Sequence, residues 1–429
     1  MSFDTKKALE LWGGVECTIN RVGDVYFDQA SKSGHRERLD ADLRRFAELG
    51  IHTLRTAILW EHFEATNSWA SSDLLFAALD KHEIHPIVGL LHHGSGPRST
   101  HLLDPKFPEK LAAFALQVAQ RYPSAVDFTP VNEPQTTGRF ACLYGHWYPH
   151  QRSMKSYVRA LFHQLKGTVL AMEAIRTVTP AARFISTEDG GQIFSTSRLE
   201  SFRQEREQRR WLGMDLLCGC VKRTHPLFSF LTGHGLLEDE ILWFADHPCP
   251  PSILGLNYYV TSDRFLDHRL ELYPPHFAGG DTGHEPLADV EAVRVYREGI
   301  SGVGPILKQA WERYSIPVAI TEAHLGCDPE EQMRWLAEIW NDSLEARTAG
   351  IDVRAVTVWA LLGSFNWCHL CTQDSGAYEP GVFNLSTGIP IATPLAKLAV
   401  DLALGGSMSA IAGQSGWWHD SLRFTIPQE

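Results

Sequence analysis

The 429-residue chain has no apolar run approaching the roughly 20 residues that a helix needs to cross a bilayer, so no membrane partner is expected. It has no excess of basic residues either. A net charge of −12 and a pI near 5.9 leave little surface suited to neutralising phosphates, and nucleic acid is not expected as a partner. Residues 1–11 carry charges throughout and contain no apolar core followed by small residues, so they do not read as a secretory leader. The eight cysteines show no disulfide framework, which agrees with a reducing compartment, and a cytoplasmic location is the reading. Cys218 and Cys220 form one close pair, Cys368 and Cys371 another, but no further ligand types flank them. No metal and no cofactor are expected. Low-complexity tracts, short repeats and linkers are absent too, which reads as a single domain over 1–429 with a short tail from 405.

What the chain does have is 44% hydrophobic residues in a repeating alternation. A short mixed strand at 9–16 is followed by a helical stripe at 35–49 that Gly50 closes. Strands are expected at 51–60, 85–91, 126–132, 183–187, 253–260, 318–322 and 353–360. Helices are expected at 72–81, 105–122, 153–178, 199–220, within 224–247, and at 290–314, 328–349 and 394–402. The stretch 262–288, rich in Pro, Gly, His and Asp, reads as a long surface loop of the kind that covers a site. Eight apolar strands separated by helices indicate a parallel sheet covered on its outer face, and eight such units point to closure as a (β/α)8 TIM barrel in the α/β class.

Two of these strands end on a carboxylate. Val131-Asn132-Glu133-Pro134 places Glu133 in front of a proline, which disfavours helix at Glu133 and suggests extended backbone at a strand end. Ile320-Thr321-Glu322 ends the seventh strand. In a closed parallel barrel both would meet at the mouth, where such barrels keep their chemistry.

Taken together, the strand ends resemble glycoside hydrolase family 1, the retaining β-glycosidases, over 12–367. The resemblance implies that Glu133 is the acid/base, that Asn132 holds the sugar 2-hydroxyl, and that Glu322 is the nucleophile. It assigns Arg55, in Leu54-Arg55 through Trp60, to support of the nucleophile. His92, in Leu90-Leu91-His92-His93, corresponds to a glycone-contacting His, with His93 where the family has Trp. Gly255-Leu256-Asn257-Tyr258-Tyr259 is similar to the family's Gly-x-Asn-Tyr-Tyr. Strand alternation puts Asn257 and Tyr259 on one face, and Tyr259 is expected to face the nucleophile. Trp359 and Trp367 match aromatic positions of the last-strand motif.

The departures concern the glycone clamp. Asn20 stands where the family has Gln, and Asn366 where it has the Glu that grips the outer hydroxyls. The expectation is a retaining exo-β-glycosidase acting on a small glycoside, with a glycone other than plain glucose. Alternatives are a sugar-binding barrel without turnover, a transglycosylase, or a related barrel enzyme with a different glycone.

Several residues keep a second reading. Trp60, Arg55, His92 and His93 could serve packing. Glu16 could enter the sugar site or cap a turn. Glu188 and Asp189, adjacent on an extended chain, read as loop support because their side chains point opposite ways. The alternating charges of 203–210 read as a solvated helix face.

Overall fold

The computed structural model describes residues 8–274, 277–279, 286–405, 410 and 412–425. Its main sheet is wholly parallel and contains β1 (Glu10–Gly14), β2 (Thr53–Ala57), β3 (His85–Gly89) and β4 (Asp127–Thr129). It continues with β5 (Arg183–Phe184, resumed at Glu188–Asp189), β6 (Leu254–Tyr259), β7 (Val318–His324) and β8 (Val353–Val358). The first half of β5 pairs with β4 and the second half with β6. Both ends of the sheet order are therefore one stretch of chain, and the sheet closes on itself as a (β/α)8 barrel.

Strand alternation builds two layers of packing. Trp12, Ile87, Ile185, Ile253, Ala319 and Ala355 form a separate small cluster drawn from six strand segments, which fills the barrel interior. Their chain neighbours Leu11, Val88, Phe184, Leu254, Ile320 and Val356 point the other way, into the core beneath the helices. That outer layer meets the apolar faces of α1 (Leu39–Glu48), α2 (Ala70–Lys81) and α3 (Phe107–Arg121). After the short α4 (Pro134–Gly138) come α5 (Met154–Val178), α6 (Glu200–Leu217), α7 (Val303–Tyr314), α8 (Pro329–Thr348) and α9 (Pro394–Ala403). Ser153 caps α5 by accepting from Ser156 N, and Asp328 caps α8 by accepting from Glu330 N and Glu331 N.

Some expected elements differ. The stretch expected as a structureless loop at 262–288 contains the strand Arg264–Asp267, which pairs with Ile193–Ser195 on one side and Leu287–Glu291 on the other. Period-2 alternation accounts for it: Phe265 packs with Tyr273, Ala288 and Val290, while Leu266 packs with Ile193, Leu199 and Leu287. Residues 275, 276 and 280–285 of that stretch lie outside the described residues. The helix expected from 290 is a strand there, then a single turn at Ala292–Val295, with α7 beginning only at Val303. Trp60 opens a short helix, Trp60–Thr66, instead of ending a strand. In the C-terminal tail Trp418 is buried edge-on against Trp335 of α8, and its Nε1 donates to Glu338 Oε2 at 2.9 Å. Among the described residues no helix is long and apolar enough to cross a membrane.

Candidate active site

The carboxyl ends of the strands open into a cavity of about 1010 Å³. Glu133, Glu322, Tyr259, Trp359 and Trp367 line it. Glu322 lies inside β7, every residue of which is buried. Arg55 Nη1 donates to Glu322 Oε1 at 2.9 Å and to the Thr321 carbonyl at 2.5 Å, and Nη2 donates to Asn132 Oδ1 at 2.8 Å. The guanidinium also lies 4.8 Å from the ring centre of Trp359. On the other carboxylate oxygen, Tyr259 Oη donates to Glu322 Oε2 at 2.5 Å. Burial raises the Glu322 carboxyl, while Arg55 and the Tyr259 hydrogen bond pull it back toward the ionised form.

Glu133 has a different environment. It is not extended: its φ of 42° and ψ of 64° are left-handed, and it is the N-cap residue of α4. A following proline disfavours the right-handed helix and favours extended backbone, so the left-handed conformation of Glu133 is an uncommon one that its surroundings must hold. Pro134 then sits at the first helical position, where its missing N–H costs nothing. Glu133 N donates to Thr187 O at 3.2 Å, and its own carbonyl accepts from Thr137 N at 2.9 Å, which locks the turn. Glu133 Oε1 accepts from Asn257 Nδ2 at 2.6 Å, and Asn257 Oδ1 accepts from Thr321 Oγ1 at 2.7 Å. Burial, then the charge of Glu322, pushes the Glu133 carboxyl well above the usual carboxylate range. The charge of Glu322, the cause expected from the sequence, comes second to burial.

The two histidines exchange places relative to expectation. His93 lines the cavity, with Nε2 3.7 Å from Glu133 Oε2, whereas His92 lies behind it, stacked on Trp359 at 5.6 Å and 3°. Burial lowers His93 to about 3, so the ring is neutral. The Asn132 amide lies between the Nε2 atoms of His92 and His93, at 3.3 and 3.2 Å. Nδ1–H of His93 then donates to Thr137 Oγ1 at 3.1 Å.

Asn20 and Asn366 do not line the cavity. Asn20 is fully buried and donates to the Cys371 carbonyl at 3.0 Å. Asn366, at φ 61°, spends its amide on Asp374 and its carbonyl on Ser375. Both hold the loop after β8, and Asn20 Oδ1 is left without a partner. Glu16, whose role the sequence left open, does line the cavity, and its Oε2 accepts from Trp367 Nε1 at 3.0 Å. Trp60 packs into the core, stacked on Phe114 at 6.0 Å. Its neighbour Glu61 is buried under the β3 loop, where Oε1 accepts from Gly96 N at 3.2 Å and Oε2 has no partner; burial raises this carboxyl to about 8.

Sequence reasoning missed the wall beyond Glu133. Glu188 lines the cavity, accepting from Gln135 N at 2.8 Å and Thr136 Oγ1 at 3.2 Å, and burial raises its carboxyl to about 7. Arg206, Arg209 and Arg210, expected on a solvated face, also line the cavity. They lie three and four apart, a helical stripe that the alternating charges concealed. Arg206 shares Asp289 with Arg264, and Arg210 pairs with Glu207 at 2.8 Å. Among the described residues no group of three or more His, Cys, Asp or Glu could hold a metal ion.

No family model matches the chain. The chain is 24% identical over 371 residues to the phospho-cellobiase of Klebsiella oxytoca, covering 75% of this chain and 74% of that protein. In fold it is similar to the β-glucosidase of Thermotoga maritima in complex with methoxycarbonyl-substituted glucoimidazole, with a TM-score of 0.72 at 16% identity over 88% of each chain. A second structure, the family 1 β-glucosidase of the same organism, gives a TM-score of 0.71 over the same shares. The strand-end motifs, the closed barrel that carries them and the related sequence point the same way: the chain has the (β/α)8 fold of the family 1 β-glucosidases and resembles glycoside hydrolase family 1 as a divergent relative.

Proposed function

We propose that the protein is a retaining exo-β-glycosidase, with Glu133 as acid/base and Glu322 as nucleophile. The observation that carries this is the contrast between the two carboxylates. Glu322 receives a guanidinium and a phenol, which favour its anion, whereas Glu133 receives one amide in a buried setting that favours its protonated form. In the first step Glu133 gives its proton to the glycosidic oxygen as the Glu322 carboxylate attacks the anomeric carbon, and the bond to the leaving group breaks. Esterified Glu322 no longer carries charge, so Glu133 becomes the stronger acid, and its carboxylate can deprotonate the incoming water. That water attacks the anomeric carbon, the ester bond breaks, and both groups return to their starting states.

The names of the relatives, phospho-cellobiase and β-glucosidase, agree with a β-linked substrate. The glycone side is furnished by Glu16, His93, Trp359 and Trp367, without the Asn20 and Asn366 side chains, and this supports a glycone other than plain glucose. The test is intact mass and peptide mapping after incubation with a panel of 2-deoxy-2-fluoro glycosides bearing good leaving groups. An adduct on Glu322 is expected, and the sugar that labels names the glycone class. Ligand binding without any adduct across the panel would favour the sugar-binding barrel instead.

A further inference from the structure

The cavity is far larger than one sugar ring needs, and its charged groups are unevenly distributed. The loop after β8, where the family's glycone clamp lies, contains no Lys or Arg between Phe365 and Tyr378, and its Asp374 is paired with Lys32 at 2.7 Å. An anionic glycone would find no cation there beyond Lys32, which Asp374 already holds. The opposite wall, beyond Glu133, is where a leaving group must lie, because the acid stands on the leaving-group side and the nucleophile on the other face of the sugar.

On that wall Arg139 opens the π-helical turn Arg139–Leu143, which continues α4 directly. Single π turns are frequent at functional sites. Arg139 lines the cavity together with Phe140, Leu143, Tyr144 and Tyr157. Its Nη2 donates to Thr136 Oγ1 at 3.0 Å, and its Nε is buried without an acceptor. The other arginines of the wall have their acids: Arg206 and Arg264 share Asp289, Arg209 has Glu205, and Arg210 has Glu207. Glu188 and Asp189 share the wall and their charges favour the Arg139 cation, but neither pairs with it directly: Glu188 accepts from Gln135 N and Asp189 from Gly191 N. Arg139 has no carboxylate within ion-pairing distance among the described residues, although a planar fork of donors is suited to bidentate capture of one.

We propose that the leaving-group side of this cavity takes an aglycone bearing a carboxylate or a phosphate, which Arg139 holds while Phe140 and Tyr144 face the ring that carries it. This rests on the retaining-glycosidase reading, and it names the substrate class for that site. The chemistry of the reaction is unchanged; the anion contributes binding and orientation of the bond to be broken.

The test uses the 2-deoxy-2-fluoro glycosyl-enzyme, whose glycone is already on Glu322 and whose leaving-group side is vacant. Reactivation by transfer to an added acceptor is followed with glucose, glucuronate and glucose 6-phosphate. Wild type is expected to reach half-maximal reactivation at a concentration roughly tenfold lower for at least one anionic acceptor than for glucose, the scale of one charge-assisted contact. Arg139→Gln should bring that ratio to within roughly threefold of one, and Arg139→Lys should retain part of it, since it keeps the charge but loses the fork. Which anion is preferred tells carboxylate from phosphate. Equal use of all three acceptors by wild type, or a preference that survives Arg139→Gln, overturns the proposal. If no glycoside labels Glu322, the parent reading fails by itself, and calorimetric titration of the free protein with the same three sugars, wild type against Arg139→Gln, decides the anion preference separately.

Discussion

Asn257 Nδ2 stands 2.6 Å from Glu133 Oε1, and the same amide lies close enough to Glu322 to favour its anion as well. One amide therefore acts on both members of the pair. Donation to a carboxylate stabilises the charged form and lowers its pKa. Activity should require Glu322 ionised and Glu133 protonated, so kcat/KM should fall at low pH as Glu322 protonates and at high pH as Glu133 deprotonates. Removing the amide with Asn257→Ala should move both limbs of the bell to higher pH. A pH profile of kcat/KM for the two proteins checks this, and limbs that stay in place would count against it.

The roles of the two carboxylates separate on chemical rescue. Glu322→Ala should abolish hydrolysis, and azide should restore turnover with an inverted glycosyl azide as product. Glu133→Ala should lose roughly 10²–10⁴-fold on substrates with poor leaving groups and far less on activated aryl glycosides, which need little protonation. Product stereochemistry by NMR distinguishes the two variants.

Arg55 is buried against Glu322 at 2.9 Å, with 6% and 3% of the two side chains exposed. Replacing it by Met leaves a buried carboxylate unpaired, a defect that costs about 3–5 kcal/mol when the charge persists. Part of that cost is avoidable if Glu322 takes up a proton. Arg55→Met should therefore lose stability most at alkaline pH and shift the acid limb of its residual activity upward. Urea unfolding at two pH values, set beside the activity profile, checks both.

Glu61 offers a stability prediction away from the reacting groups. Its folded carboxyl lies near 8, above the ordinary value of 4.5, so the folded state binds the proton more tightly than the unfolded state does. Its contribution is fully present below the unfolded value and is lost as pH rises through the folded one, by about 1.4 kcal/mol for each pH unit in between. Glu61→Gln cannot ionise and should remove that slope. The difference in unfolding free energy between the variant and wild type should grow in favour of the variant from pH 5 to pH 8; a constant difference would refute the assignment.

The barrel was legible because its signal is local and repeated: apolar strands and amphipathic helices alternate along most of the chain. The placement of Glu322, Arg55 and Tyr259 was legible as well, since each lies in a short motif on a strand and strand alternation sets its direction; Glu133 was located by its motif, although its own turn is left-handed. What failed to show were side chains whose direction depends on long-range closure. His92 and His93 are adjacent in sequence, so only the turn after β3 decides which one reaches the cavity; the φ of 57° at His93 is part of that turn. Asn20 and Asn366 occupy motif positions, yet the Asn20 amide is taken by a carbonyl 351 residues away and the Asn366 side chain by its own tight loop, contacts that no local pattern announces. Arg139 had no motif at all. Its position follows from the left-handed turn at Glu133, which starts a helix where an extended strand was expected.

The four contacts of Arg55 have a consequence for how the protein comes together. Thr321 and Glu322 belong to β7, Asn132 follows β4, Trp359 follows β8, and Arg55 itself is on β2. A single guanidinium thus reads the register of four strands spread across three-quarters of the chain. If any one of them slips by a residue, its side chain turns to the opposite face and the cation loses a partner. A misassembled barrel would thus be left without a competent centre, and recovery of activity on refolding should report complete closure more faithfully than recovery of secondary structure does.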